Sequence, residues 1–442
     1  MVARYLKERT GVSEETWSEI RATVSEILGA VEREGEAAVR RYSERFDSWN
    51  PSSFRVAEDH VRDSDDAVTD ELREHIAFAQ AQIRGFAELQ RSTLIDEEWE
   101  TMPGVTLGQR FLPVDAVGAY SPGGLYPLIA SAIMTVLVPK VAEVPRVVAC
   151  APPRGPAGIH PPQLYAMVTS GADEILCIGG VQAFAAMAFG IEDLEPVDML
   201  VGAGNAYVAE AKRQLFGTVG IDLLAGPTEV MVLADDSADP EIVAADLLGQ
   251  AEHGPTSPAT LVTTSEDLAR AVSDAVDGWL DGGWPTKDVA GTAWRDHGAI
   301  IVCEDEEEAA AVADDIAPEH LEIQTEDPDW YLKRMSSYGT LFLGTHATVA
   351  YSDKAIGTNH VLPTRRAARY TGGLWVGKFL KAVTYQRVTA EGSARVAAST
   401  AAIADAELMF GHALTARLRL DPARYPDALP AIAPTHPLED EG

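Results

Sequence analysis

The chain has 442 residues, more than one compact core usually holds, so two α/β lobes with smaller appendages are the expectation. A formal charge of −33, from 68 acidic and 35 basic residues, repels nucleic acid and anionic membrane surfaces and argues against both as partners. Only eight of the basic residues are lysine, and such a shell is what a halophilic protein carries, because concentrated salt screens the self-repulsion.

No apolar run is long enough to span a bilayer and no signal-like segment follows Met1, so a cytoplasmic location is expected. Cys150, Cys177 and Cys303 lie far apart in apolar runs and read as reduced core thiols.

In chain order, helical apolar spacing covers residues 14–47 and 68–91, with a Pro-containing break from Asn50 to Ser53. From Ala116 the texture changes to short β-branched runs alternating with helical stretches: 116–120, 146–150, 174–178 and 198–201. It resumes at 229–234, 259–263, 299–303 and 341–343. That rhythm predicts parallel, doubly wound sheets. The predicted division is an N-terminal helical segment (1–50), a first α/β lobe (51–115 with 228–380), a second lobe (116–227) and a C-terminal helical segment (381–442). The last is too small to bury its own core and should pack on another lobe or subunit. Its Pro-rich tail, Asp421 to Gly442, is expected to be loosely ordered.

The densest chemical signal runs from Gly220 to Glu229 and on through Val243 to Gly254. Gln250 and His253, three apart, share a helix face and can reach one ion, or else form a capped helix end. Asp353 and His360 fall in a Gly-containing stretch that reads as a loop, and His412 follows Glu407 in a helical segment otherwise poor in polar chemistry. Together Gln250, His253, Asp353 and His412 make an N/O-only shell of the catalytic zinc type. After Pro318, Glu319 and His320 are adjacent titratable groups, one able to take a proton from an alcohol and the other to activate water. Gly-rich turns at 120–127, 177–183 and 200–208 suggest a ligand crevice, although the GxG at Gly202 and Gly204 lacks the third glycine of a dinucleotide fingerprint.

Ile221-Asp222, Ala225-Gly-Pro-Thr-Glu229, the block from Ala244 to His253, Pro318-Glu-His-Leu321 and the block from Gly357 to Thr364 resemble the histidinol dehydrogenase family, in order and along essentially the whole chain. The resemblance implies a homodimer with exchanged segments, two incomplete Rossmann-like lobes, and one zinc per site. It implies zinc on Gln250, His253, Asp353 and His412, bases at Glu319 and His320, and substrate contacts from these ligands with Thr228, His320, His360 and Glu407. Glu407 and His412 would come from the partner, and NAD would meet Tyr120, Gln182 and Asn205. The implied reaction oxidises a primary alcohol through a retained aldehyde to a carboxylate with two NAD.

Departures from the family pattern resemble its sulfopropanediol dehydrogenase branch. The glycine loop Pro122 to Pro127 is short, Lys354 replaces a usual aromatic, residues 345–350 lack an acidic Glu-Ser element, and Arg365, Arg366 and Arg369 follow. A cation beside a zinc ligand suits an anionic sulfonate better than a cationic amino-imidazole. L-histidinol is the alternative substrate. A zinc hydrolase built on Glu319 and His320 is a remoter reading, because it leaves the glycine loops without a role.

Overall fold

The computed structural model describes residues 4–10 and 14–420; the tail expected to be loose, Asp421 to Gly442, lies outside the described residues. The chain divides into two units, Met1–Thr93 with Pro113–Leu380 and Leu94–Leu112 with Lys381–Gly442. The described strands are β1 (Arg4–Lys7), β2 (Glu97–Met102), β3 (Val105–Pro113), β4 (Ala116–Tyr120), β5 (Arg146–Ala151), β6 (Glu174–Cys177), β7 (Met199–Val201), β8 (Gly220–Ile221), β9 (Val230–Ala234), β10 (Ala259–Thr263), β11 (Ala299–Val302), β12 (His320–Gln324), β13 (Thr340–Leu343) and β14 (Leu380–Val388).

The larger unit is α/β with two sheets. One has the order β6-β5-β4-β7-β8, and every pairing in it is parallel. The other has the order β1-β11-β10-β9-β12-β13 and is parallel except for β1, which runs antiparallel along β11. In the parallel strands of both, the chain starts on a central strand, β4 or β9, winds outward to one side, then returns and winds to the other. Each of the eight β-branched runs read from the sequence is a strand of these sheets.

The central strands β4 and β9 are buried at every position, which is why they read as continuous apolar runs and not as alternation. Helices must cover both faces of such sheets. Helix Glu14–Glu34 supplies Val24, Ile27 and Val31 to the core of the five-stranded sheet, where they join Phe184 and Leu200. The six-stranded sheet has a core on each face, one around Val232, Leu247 and Leu261 and the other around Leu233, Ile301 and Leu321.

The division differs from the sequence expectation at three places. Arg4–Lys7, inside the segment read as helical, is the edge strand β1. Helices Glu58–Asp66 and Asp70–Ser92 pack against helices Pro161–Ser170 and Ile129–Val141, beside the five-stranded sheet and not only with residues 228–380. The start of the C-terminal segment, read as helical, is the strand β14. The strands outside the two large sheets have few buried positions; β2 has none, so no apolar periodicity announces it.

The smaller unit is a three-stranded sheet, β14-β3-β2, followed by helices Ala390–Ala406 and Phe410–Leu420. Gly104, at φ 82°, turns β2 into β3, and a Cβ on Gly392 would lie 2.2 Å from the Gly104 carbonyl oxygen, so two glycines let helix and turn touch. The helix pair closes on Ala397, Ala401, Ala404, Ala413 and Ala416 and leaves Ile403, Leu408, Met409 and Phe410 exposed. Five alanines bury little apolar area.

Candidate active site

The candidate bases lie at the amino ends of β9 and β12, neighbouring strands of the six-stranded sheet. Glu319 precedes β12 and His320 opens it, while Thr228 and Glu229 lead into β9. Glu319 Oε2 accepts from the Thr228 hydroxyl at 2.6 Å and from the Glu229 N–H at 2.9 Å. The His320 Nδ1 hydrogen bond to the Glu229 carbonyl oxygen, 3.0 Å, assigns the proton to Nδ1 and leaves Nε2 as the free nitrogen. Buried Nε2 has no hydrogen-bond partner, and neither has Asp353 Oδ1, 3.7 Å away.

Burial alone would lower the His320 pKa, but the Glu319 and Asp353 carboxylates beside it hold it well above the usual histidine value. Glu229 goes the other way from an ordinary carboxylate: burial first, then Glu319, pushes it up to about 7.

Three of the four expected metal ligands converge here. Gln250 and His253 sit at the end of helix Pro240–Ala251, and Asp353 lies in helix Val349–Lys354, not in the loop its sequence suggested. His253 Nε2 is 3.4 Å from Asp353 Oδ2. The Gln250 amide nitrogen donates to Thr228 at 2.7 Å, which leaves its oxygen as the end that an ion would take. Burial pushes His253 down to about 4, so its imidazole is neutral and a ready ligand near pH 7. Burial opposes charge on Asp353, yet His320, His360 and His253 hold it below the usual carboxylate range.

Among the described residues no cluster of three His, Cys, Asp or Glu side chains is arranged to hold a metal. That agrees with a set in which this unit gives one imidazole, one carboxylate and one amide. The unpartnered Asp353 oxygen and the neutral His253 fit zinc, whose sites require N/O donors of this kind. Both nitrogens of buried His360 are used, with Ser131 Oγ 2.7 Å from Nε2 and the Asp353 carbonyl oxygen 3.2 Å from Nδ1. Glu407 and His412 belong to the smaller unit, where both are exposed.

The glycine turns follow the carboxyl ends of β4, β6 and β7. Tyr120 ends β4, buried against the Phe184 ring, and Gln182 is buried with its amide on Asp47 at 3.2 Å. Asn205 Oδ1 caps helix Ala206–Leu215 by accepting from the N–H groups of Tyr207 and Val208. The helix that begins at Gly180 has no side-chain cap, and a helix start of this kind can take the phosphate of a cofactor. Behind Gly202 the Lys212 ammonium, wholly buried, donates to the Gly202 carbonyl at 2.7 Å and to Asp222 at 2.6 Å; Asp222 accepts from the Gly202 N–H at 2.8 Å. Gly202 has φ 126°, and a Cβ there would lie 2.2 Å from the Tyr120 carbonyl oxygen. Gly202→Ala is therefore expected to cost at least about 2 kcal/mol and to weaken NAD binding with it. Thermal melting and an NAD titration on the same preparation check both.

Of the cations noted in the sequence, Lys354 Nζ stands 3.9 Å from Asp353 Oδ2. Arg365 stacks on Trp17 at 3.8 Å, Arg366 pairs with Asp315 at 2.7 Å, and Arg369 donates to the Arg366 carbonyl. Sequence reasoning missed Ser131, Glu229 as a titrating neighbour, and the Lys212–Asp222 pair. Ser131 and Glu229 are ordinary residues whose partners are far away in the chain, and Lys212 meets Asp222 across a helix and a strand.

The sequence pattern of the family described as histidinol dehydrogenase matches residues 11–420. A "Histidinol dehydrogenase homolog" of Shouchella clausii is 51% identical over 421 residues, 95% of this chain and 99% of that protein. The "Sulfopropanediol 3-dehydrogenase" of Ruegeria pomeroyi is 48% identical over 426 residues, 96% of this chain and 97% of that one. The crystal structure of histidinol dehydrogenase from Elizabethkingia anophelis superposes with a TM-score of 0.85 at 32% identity, covering 93% of this chain and 97% of that chain.

The fold and the site define an oxidoreductase that acts on CH–OH groups with NAD and zinc as cofactors. The chain belongs to the histidinol dehydrogenase family. No described helix is long and apolar enough to cross a membrane.

Proposed function

We propose that the protein oxidises 2,3-dihydroxypropane-1-sulfonate to sulfolactate, in two successive two-electron steps, through an aldehyde that stays in the site. The carrying observation is the buried, unpartnered His320 Nε2 facing a carboxylate that Lys354 also approaches. The 48% identity to a protein named sulfopropanediol 3-dehydrogenase supports the same substrate class. L-histidinol is the second reading, favoured by the likeness to a solved histidinol dehydrogenase.

Gln250, His253 and Asp353, with the partner's His412, would hold the zinc; Tyr120, Gln182 and Asn205 mark the NAD crevice. When bound, zinc fixes the polar groups of the substrate and NAD takes up hydride. In its neutral form, whose share rises with pH because Glu319 and Asp353 hold its pKa up, His320 accepts the hydroxyl proton on Nε2 as hydride leaves the alcohol carbon. Glu319, fixed by Thr228 and Glu229, takes a proton from water as the water oxygen adds to the aldehyde carbon. The hydrate loses a second hydride and a proton and becomes the acid. Thr228, Glu407 and, on releasing Ser131, His360 complete the substrate contacts.

A homodimer in which the partner supplies Glu407 and His412 accounts for the exposed helix pair that carries them. The proposed setting is the cytoplasm of a halophilic cell.

The test offers L-histidinol and 2,3-dihydroxypropane-1-sulfonate separately at high salt and follows NADH. The sulfonate is expected to reduce NAD at a kcat/KM at least tenfold above histidinol, and Lys354→Met to erase that preference. A strong response to histidinol alone would overturn the assignment.

A further inference from the structure

Beside the bases and the metal donors lies a second polar cluster, with Glu322 and Gln324 buried and Asp246 and Thr348 partly buried, and its members come from the same three elements. Asp246 sits one helical turn before Gln250 on Pro240–Ala251. Glu322 and Gln324 share a face of β12 with His320, since strand side chains alternate. Thr348 caps helix Val349–Lys354, which carries Asp353.

The Gln324 amide donates to Asp246 Oδ2 at 2.8 Å and to Glu322 Oε2 at 3.1 Å. The Thr348 hydroxyl donates to Asp246 Oδ1 at 3.0 Å, and the Val349 N–H donates to Glu322 Oε1 at 2.8 Å. Glu322 and Gln324 are each 1% exposed. The groups that bear on the two carboxyls are each other, Gln324, Thr348 and the Val349 amide, with no basic side chain among them. Two carboxylates meeting in such a place would lose hydration and repel each other. One proton retained between them turns that repulsion into a hydrogen bond.

We propose that Asp246 and Glu322 are positioning residues, a proton-linked clasp that ties the helix of Gln250 and His253, the strand of His320 and the helix of Asp353 into one frame. The clasp takes its purpose from the zinc and base site proposed above. It touches no substrate. It fixes the relative placement of donors that come from positions about 100 residues apart in the chain.

Burial, then Asp246, pushes Glu322 up to about 8 from its ordinary 4.5. A carboxyl raised on folding contributes stability that is fully present below the ordinary value and is lost as pH rises through the raised one. The clasp therefore holds at neutral pH and opens on the alkaline side of about pH 8, when the second charge appears.

The test uses the full-length protein, with zinc as the probe, as wild type, Glu322→Gln and Glu322→Ala. Two quantities are followed from pH 6 to 9.5: the melting temperature after zinc removal, and the rate of zinc loss to EDTA after reloading. Wild type is expected to melt lower and to lose zinc several-fold faster at pH 9 than at pH 7. Glu322→Gln cannot ionise but can still donate to Asp246, so it is expected to hold both values level, slightly below the neutral wild type because the bond from Gln324 is lost. Glu322→Ala is expected to lose zinc at least tenfold faster at pH 7 and to lower kcat while the KM for NAD stays unchanged. The same alkaline decline in Glu322→Gln as in wild type overturns the clasp, whether or not the alanine variant folds. A wild type that takes up no zinc would instead defeat the proposed function, and the metal-free melting curves would still decide the clasp.

Discussion

His320→Asn is expected to lower NADH formation by about 10²- to 10⁴-fold, the range for removing a positioned general base, while zinc content is unchanged. The expectation comes from the ring's two bonding directions. Nδ1 donates to the Glu229 carbonyl oxygen, so the tautomer is set from behind, and Nε2 is left buried without a partner. The asparagine amide can keep the bond to Glu229 but offers no basic nitrogen in place of Nε2. The proposed metal donors are Gln250, His253, Asp353 and His412, so the substitution should spare the ion. Steady-state rates with metal analysis of the same sample make the measurement. Loss of zinc would move His320 from base to ligand and require a different proton acceptor.

Lys212→Met is expected to destabilise the protein by about 3–5 kcal/mol, the cost of breaking a buried ion pair by removing one partner. Both side chains are fully buried, and Asp222 holds the Gly202 and Leu223 N–H groups as well as the ammonium. Without Lys212 the aspartate charge stays inside with only amide donors, and the Gly202 carbonyl loses its partner. Affinity for NAD should fall with stability, since the pair fixes the turn between Gly202 and Asn205. Urea unfolding reads the first effect and calorimetric titration the second. A change under about 1 kcal/mol, typical of an exposed pair, would mean that water reaches this one.

The large sheets were legible in the sequence because strands buried on both faces must be continuous apolar runs. β2, β3 and β14 were not, because strands with few or no buried positions, such as Glu97–Met102, carry no such pattern. Asp353 was read as a loop residue since Gly357 and Asn359 lie near it, yet the Thr348 side chain starts a short helix by accepting from the Ala350 N–H. At the site, types and spacing exposed Gln250 with His253 and Glu319 with His320. The networks around them were hidden: Thr228 reaches Glu319 across 91 positions and Ser131 meets His360 across 229, and no local pattern encodes such distances. The His-Leu-Glu-Ile-Gln alternation of β12 did place three polar side chains on one face, a sign of the cluster behind His320.

The two sheets wind alike, yet the candidate chemistry uses opposite ends of them: the glycine turns follow strand termini in one, and the base pair precedes strand starts in the other. In an open parallel sheet the natural cleft for a ligand opens beyond the carboxyl ends, where neighbouring connections diverge. That place in the six-stranded sheet, between β9 and β12, is stitched by Asp235. Its N–H donates to the Gln324 carbonyl at 3.3 Å, and its carboxylate accepts from the Ser237 hydroxyl at 2.5 Å and the Glu326 N–H at 2.9 Å. The seam ties the carboxyl ends of β9 and β12 together at the same edge where, in the other sheet, the glycine turns follow their strands, so two sheets of one winding are put to different uses.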